Sequence, residues 1–218
     1  MNRCLAMLLA VTLIGCATMG GAASLRSGDT RSWITYRVEV GDQVVQFTIP
    51  PGVNEEFLDP PVPQRIDLEQ LGLFDQAGAG PKLLSRHWDY RKGSHGPIGG
   101  TLRAYIGLWY VETILNSSNA LQAAVVESNE LRRTKDVLQG GSGGPPDKIS
   151  FEPAVLGGRE ALLVRHQTSP SNYAVTLDAH HYLLVYISGN YVTEPGWRED
   201  AKAAAEAILN SIRIEPKH

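Results

Sequence analysis

"KISFEPAVLGGREALLVRHQTSPSNYAVTLDAHHYLLVYISGNYV", residues 148–192, is the most regular stretch of the chain. It holds four runs of apolar, β-branched and aromatic residues, parted by Gly157-Gly158, by residues 167–171 and by Asp178-Ala179. Short runs bounded by turn residues read as strands, and their close spacing reads as an antiparallel meander. Residues 182–187, YLLVYI, are apolar at successive positions. That pattern belongs to a strand covered on both faces.

The cover is sought in the neighbouring sequence. Residues 194–212, EPGWREDAKAAAEAILNSI, place Trp197, Ala201, Ala204, Ala205, Ile208, Leu209 and Ile212 on one stripe of a helix. Glu199 and Asp200 are expected in its first turn, where the helix dipole favours acids. A short strand, Ile212-Arg213-Ile214, follows. Upstream, residues 117–139 read as a second helix with Ser118 as N-cap and Leu121, Val125 and Leu131 near one stripe. Residues 82–92 and 101–115 read as two more strands around the glycine-rich connection GSHGPIGG. Residues 33–52 read as a hairpin. Tyr36, Val38 and Val40 alternate on one strand, Gly41-Asp42 turns, and Val45, Phe47 and Ile49 alternate on the return. Residues 53–82 carry Pro60, Pro61 and Pro63 with little periodicity and read as loop with one short helical turn. The sum is α+β, a mostly antiparallel sheet with flanking helices.

A resemblance attaches to these residues. GGREALLVRHQT, the strand HYLLVYIS and the closing AILNSIRIEP resemble the Mog1/PsbP-like group, which includes DcrB-type bacterial lipoproteins. The likeness covers the first hairpin and residues 149–215. It implies an α/β/α sandwich and a fold that is often non-catalytic.

The N-terminal segment speaks to location. Arg3 precedes an apolar run of ten residues, 5–14. A membrane-spanning helix needs about 20 apolar residues, so the run fits the apolar region of a secretory signal. It ends on Leu13-Ile14-Gly15-Cys16, which resembles the bacterial lipobox. The resemblance implies cleavage between Gly15 and Cys16 and acylation of Cys16. Ala17, rather than aspartate, then implies the outer membrane, with the domain on the periplasmic face. The expected organisation is a signal peptide at 1–15, a lipidated small-residue tether at 16–32 and one globular domain at 33–218. Cys4 leaves with the signal, so no disulfide is available to the mature chain.

Composition narrows the partners. The chain has 20 basic and 23 acidic residues, and losing Arg3 takes the net charge from −3 to −4. There is no basic stripe, which argues against nucleic acid. Anchoring to the bilayer is expected through the acylated cysteine.

Motifs for chemistry fail one by one. Gly140, Ser142 and Gly144 match G-x-S-x-G, but a nucleophile elbow needs a strand before the serine and a helix after it. GAGPK at 78–82 lacks the spacing of a phosphate loop. Asp178 and His180 share a strand face, with His181 on the other and His166 distant in sequence; zinc needs three or four ligands. Ser85, His87 and Asp89 share a strand face with Trp88 opposite, yet side chains two apart on a strand stand about 7 Å apart, beyond a hydrogen bond. No cofactor, metal or catalytic residue is therefore expected.

Aromatic residues offer a milder signal. Trp109, Tyr110, Tyr182, Tyr186 and Tyr191 fall in or beside strands, as core packing or as a binding surface. Two loops, 91–100 and 188–197, are candidate docking places, with Arg91, His95, Tyr191 and Trp197 as the candidate contacts. The expectation is a non-enzymatic, envelope-anchored binding module for a protein or small ligand. The alternatives are an immunity lipoprotein that neutralises a secreted lipase or cell-wall effector, and a periplasmic hydrolase.

Overall fold

The computed structural model describes residues 33–50, 64–69, 81–91, 98–142, 147–167, 169–190 and 195–218. Gly15, Cys16, His95 and Tyr191 lie outside them.

The hairpin forms as its alternation demands. Strands β1 (Ile34–Val40) and β2 (Gln43–Ile49) pair antiparallel, and Val40 opposite Gln43 closes a two-residue turn. Gly41 takes a φ of 60°, which a β-carbon would resist. Val38, Val40, Val45, Phe47 and Ile49 are buried, and Tyr36 stacks on Phe47 across the strands at 5.6 Å. The loop expected over 53–82 contains a strand, β3 (Arg65–Ile66), which pairs parallel with β1 and buries Ile66. A two-residue strand has no period to read, so only the structure reveals it.

The larger sheet is built from β4 (Lys82–Arg91), β5 (Ile98–Tyr110), β6 (Ile149–Leu156), β7 (Arg159–His166), β8 (Asn172–Thr176) and β9 (His181–Asn190). Its order is β4-β5-β9-β8-β7-β6, antiparallel at every step. The meander read from residues 148–192 is thus present, and β9 lies between β5 and β8. Tyr182 and Leu184 enter one buried cluster, while Leu183 and Val185 enter the other.

Helix α1 (Ser118–Leu138) covers one face through Leu121, Ala124 and Val125. Its N-cap is Ser117, one residue before the serine expected; the Ser117 hydroxyl accepts from the Ala120 N–H at 3.2 Å. Leu131, expected on the buried stripe, is 42% exposed. Gly140, at φ 85°, ends the helix in the left-handed conformation typical of a C-terminal glycine. A helix, not a strand, therefore precedes Ser142.

Helix α2 (Pro195–Ser211) lies on the opposite face, against β2, β5 and β9. Ala201, Ala204, Ile208 and Ile212 are buried, with Ala205 and Leu209 packed beside them. Glu199 and Asp200 fall beyond its first turn, because the helix already starts at Pro195. Strand β10 (Arg213–Pro216) follows and pairs with β2, Ile214 opposite Val45.

The α/β/α sandwich is not what forms. The hairpin does not join the main sheet: it gathers β10 and β3 into a separate four-stranded sheet of order β10-β2-β1-β3. One face of the six-stranded sheet is covered by α1, and the other by α2 together with that second sheet, in one shared core. The molecule is α+β with a dominant antiparallel sheet. The overlap with the expected order of elements hid the difference, since strand periodicity gives which residues are buried but not which strands are partners.

Candidate functional site: an aromatic and cationic groove

On the α1 face, β5 and β9 carry facing residues at every second position. The pairs are Trp109 with Tyr182, Gly107 with Leu184, Tyr105 with Tyr186 and Arg103 with Ser188. Trp109 and Tyr182 stack at 6.1 Å and are buried. Burial also pushes the Tyr182 phenol far above the ordinary tyrosine range, so it stays protonated. Tyr105 and Tyr186 stack at 5.2 Å but are only half-buried. Tyr105 lies along its own strand with its hydroxyl over Gly107, where a β-carbon would collide with it.

Helix α1 accounts for the difference between the two pairs. Its buried side chains are Leu121, Ala124, Val125 and Ser128, and none after Ser128 is buried. The next position one turn on is Arg132, which is exposed. The helix stripe thus turns from apolar to polar where the sheet still shows aromatic rings. A groove of about 420 Å³ remains, with Tyr105, Tyr186, Trp109 and Leu184 among its walls and Arg103 and Arg132 at its rim. Among the described residues no Asp or Glu lines it. The Trp109 indole N–H is buried and has no hydrogen-bond partner among the described residues.

His166 closes one side. Its side chain is 2% exposed, and Nδ1–H donates to the Asp147 carboxylate at 2.8 Å. Nε2 meets the Asn172 side-chain amide at 2.9 Å. Asn172 is bonded at both ends when its Oδ1 accepts from Nε2–H and its Nδ2 donates to Pro170 O at 3.2 Å and Ser171 O at 3.3 Å. Either way both ring nitrogens are engaged. The Asp147–His166 pair has the orientation of a hydrolase dyad, but Asn172 stands where a nucleophile would have to be.

The other sequence candidates do not assemble. Asp178 pairs with His181, not His180: its carboxylate accepts from the His181 ring at 2.9 Å and from the His180 and His181 backbone N–H groups at 2.8 Å each. These residues form the tight turn between β8 and β9, so His180 precedes the strand and the face argument does not apply to it. Burial alone would raise the Asp178 carboxyl, but the hydrogen bonds outweigh it and hold it below the usual carboxylate range. His166 is elsewhere, on Asp147. Among the described residues no group of three His, Cys, Asp or Glu side chains converges on a metal position. Trp88 is buried while His87 is exposed, as the alternation predicts.

Of the docking candidates, Arg91 ends β4 opposite Ile98, and Trp197 stands in the first turn of α2. The strand ends that bound the two loops, Arg91, Ile98 and Asn190, fall at one end of adjacent strands β4, β5 and β9, next to the Arg103–Ser188 pair. Arg103, Tyr105 and Arg132 were not among the residues the sequence singled out. The available signal was the alternation Arg103, Tyr105, Gly107, Trp109 beside the Ser128–Arg132 change in α1.

Among the described residues no helix is long and apolar enough to cross a membrane. Compared with models of known protein families and with characterised proteins, the sequence matches none, and the groove has to be interpreted from its own chemistry.

Proposed function

We propose that the chain is an envelope-anchored lipoprotein acting as a non-enzymatic binding module, with the groove between α1 and the six-stranded sheet as its ligand site. The observation that carries this reading is the half-buried Tyr105–Tyr186 pair, which lies where the inner stripe of α1 turns polar. A concave site with aromatic walls and a few convergent polar groups is the usual form of a small-molecule site. The engagement of both His166 nitrogens argues for binding rather than turnover, because a general base needs a free nitrogen within reach of its proton. The anchor rests on Leu13-Ile14-Gly15-Cys16. Two signals, or two acyl chains, hold a protein on a bilayer where one does not.

Two measurements test the reading. Wild-type protein expressed in a bacterium should incorporate labelled palmitate and sediment with membranes, and Cys16→Ser should do neither. Protein recovered from envelope extract should carry a small molecule detectable by mass spectrometry, and the Tyr105→Ala, Tyr186→Ala variant should not. Equal recovery by both proteins would remove the groove from consideration. Hydrolysis of a generic ester that is lost in His166→Ala would instead favour the hydrolase.

A further inference from the structure

The groove's electrostatics oppose those of the chain around it. The chain is net acidic, yet the groove has two guanidiniums at its rim and no carboxylate among the described residues that line it. Asp147, beside it, is turned to the His166 ring and to the Gln167 N–H at 3.1 Å. Among the described residues Arg132 makes one long contact, 3.4 Å to Asn129, a neutral side chain. Arg133, one residue on, is by contrast paired with Glu130 at 2.7 Å. The inner wall supplies flat apolar surface, since Tyr105 lies along its strand and Tyr186 stacks on it within 23° of parallel. Trp109 belongs to the same wall, its indole N–H buried beneath the surface and without an acceptor among the described residues.

We infer that the groove binds a small anion carrying a planar ring, its carboxylate or phosphate held between Arg103 and Arg132 and its ring laid against Tyr105 and Tyr186. This rests on the groove being a ligand site, and it adds the ligand's charge and shape. The alternative of a neutral apolar ligand leaves both guanidiniums without a role. Arginine prefers such anions because its planar fork matches their oxygens, and ring stacking on tyrosine contributes about 0.5–1.5 kcal/mol beyond burial.

The probe is 2-naphthoate, compared with the neutral 2-naphthylmethanol, on the full-length purified protein. Calorimetry gives affinity, and the indole N–H resonance of Trp109 reports occupancy of the groove. The acid should bind saturably and move that resonance, and the alcohol should bind about tenfold more weakly, the worth of one charge-assisted hydrogen bond. Arg103→Met and Arg132→Met should each weaken the acid by a similar factor and leave the alcohol unchanged. Both arginines are exposed, so folding is not at stake. Rising salt should weaken the acid alone. If acid and alcohol bind equally, and the arginine variants change neither, the anion inference is overturned while the groove stands as a ligand site. If neither compound binds, the inference is overturned as well; the binding-module reading falls with it only when envelope extracts also yield no ligand that depends on Tyr105 and Tyr186.

Discussion

Asp178 organises a turn with a single carboxylate that accepts from two backbone N–H groups and a buried imidazole. Its carboxyl is held below the usual range, so the folded state favours the ionised form. The stability it contributes is complete above the ordinary aspartate pKa and is lost as pH falls through the lowered folded value. Asp178→Asn keeps one acceptor and removes the charge. It should cost about 1–2 kcal/mol at neutral pH, and it should flatten the acid limb of stability against pH. Urea denaturation from pH 3 to pH 7 checks both. Gly107 matters for a different reason. An added methyl would strike the Tyr105 hydroxyl. Gly107→Ala should therefore cost about 1–3 kcal/mol, as overpacking does, and should displace Tyr105 from the groove wall. The methyl would meet two ring carbons as well as the hydroxyl, so Tyr105→Ala, which removes the whole ring, should lower the cost of the same glycine change. A double-mutant cycle by chemical denaturation measures the coupling. Nothing in the sequence marks Gly107 as more than one glycine among 22. Its role depends on a neighbour's rotamer, which no local pattern encodes.

At the scale of elements, the sequence was most legible where period and burial agree. The hairpin, the four-strand meander and the stripe of α2 follow the alternation or the helical spacing of their apolar residues, and each is present at the expected place. The end of a helix is less legible, because Ser117 and Ser118 are chemically identical caps. Geometry chose Ser117, whose extended backbone lets its hydroxyl reach Ala120. Ser117→Ala should cost about 0.5–2 kcal/mol, and Ser118→Ala should stay within about 0.5 kcal/mol; thermal melts of the two variants distinguish them. Helix α1 also shows why the groove was missed. Leu131 invites a longer apolar stripe, but the sheet-facing line runs Leu121, Val125, Ser128 and then Arg132. A polar residue on an inner stripe reads as an imperfect amphipathic helix until the surface beneath it is known. The tyrosines of β5 and β9 become a site only when strands more than 70 residues apart in sequence are laid side by side, as Tyr105 and Tyr186 are.

For the whole molecule, the correction concerns pairing rather than burial. The buried residues of the hairpin are those expected, yet they belong to a second sheet that shares its core with the first. That sheet depends on β10. Ile214 is 5% exposed, and Lys217 bridges to Glu39 at 2.6 Å. Removing residues 213–218 exposes one edge of β2 and empties the Ile214 position. The loss should be at least about 2 kcal/mol from that side chain alone. Hydrogen exchange should quicken first in β1 and β2, while β7 and β9 keep their protection; uniform quickening would show that the two sheets open as one unit.

The pairing of Gln46 with Arg213 spans 167 residues of chain. A polypeptide emerging from the ribosome exposes β2 long before β10 exists to meet it. The four-stranded sheet therefore stays unfinished until synthesis has passed residue 216, and contacts this distant in sequence are slow to close. The edge of β2 thus stands open while the chain is being made, and a chaperone can occupy it until the last strand arrives.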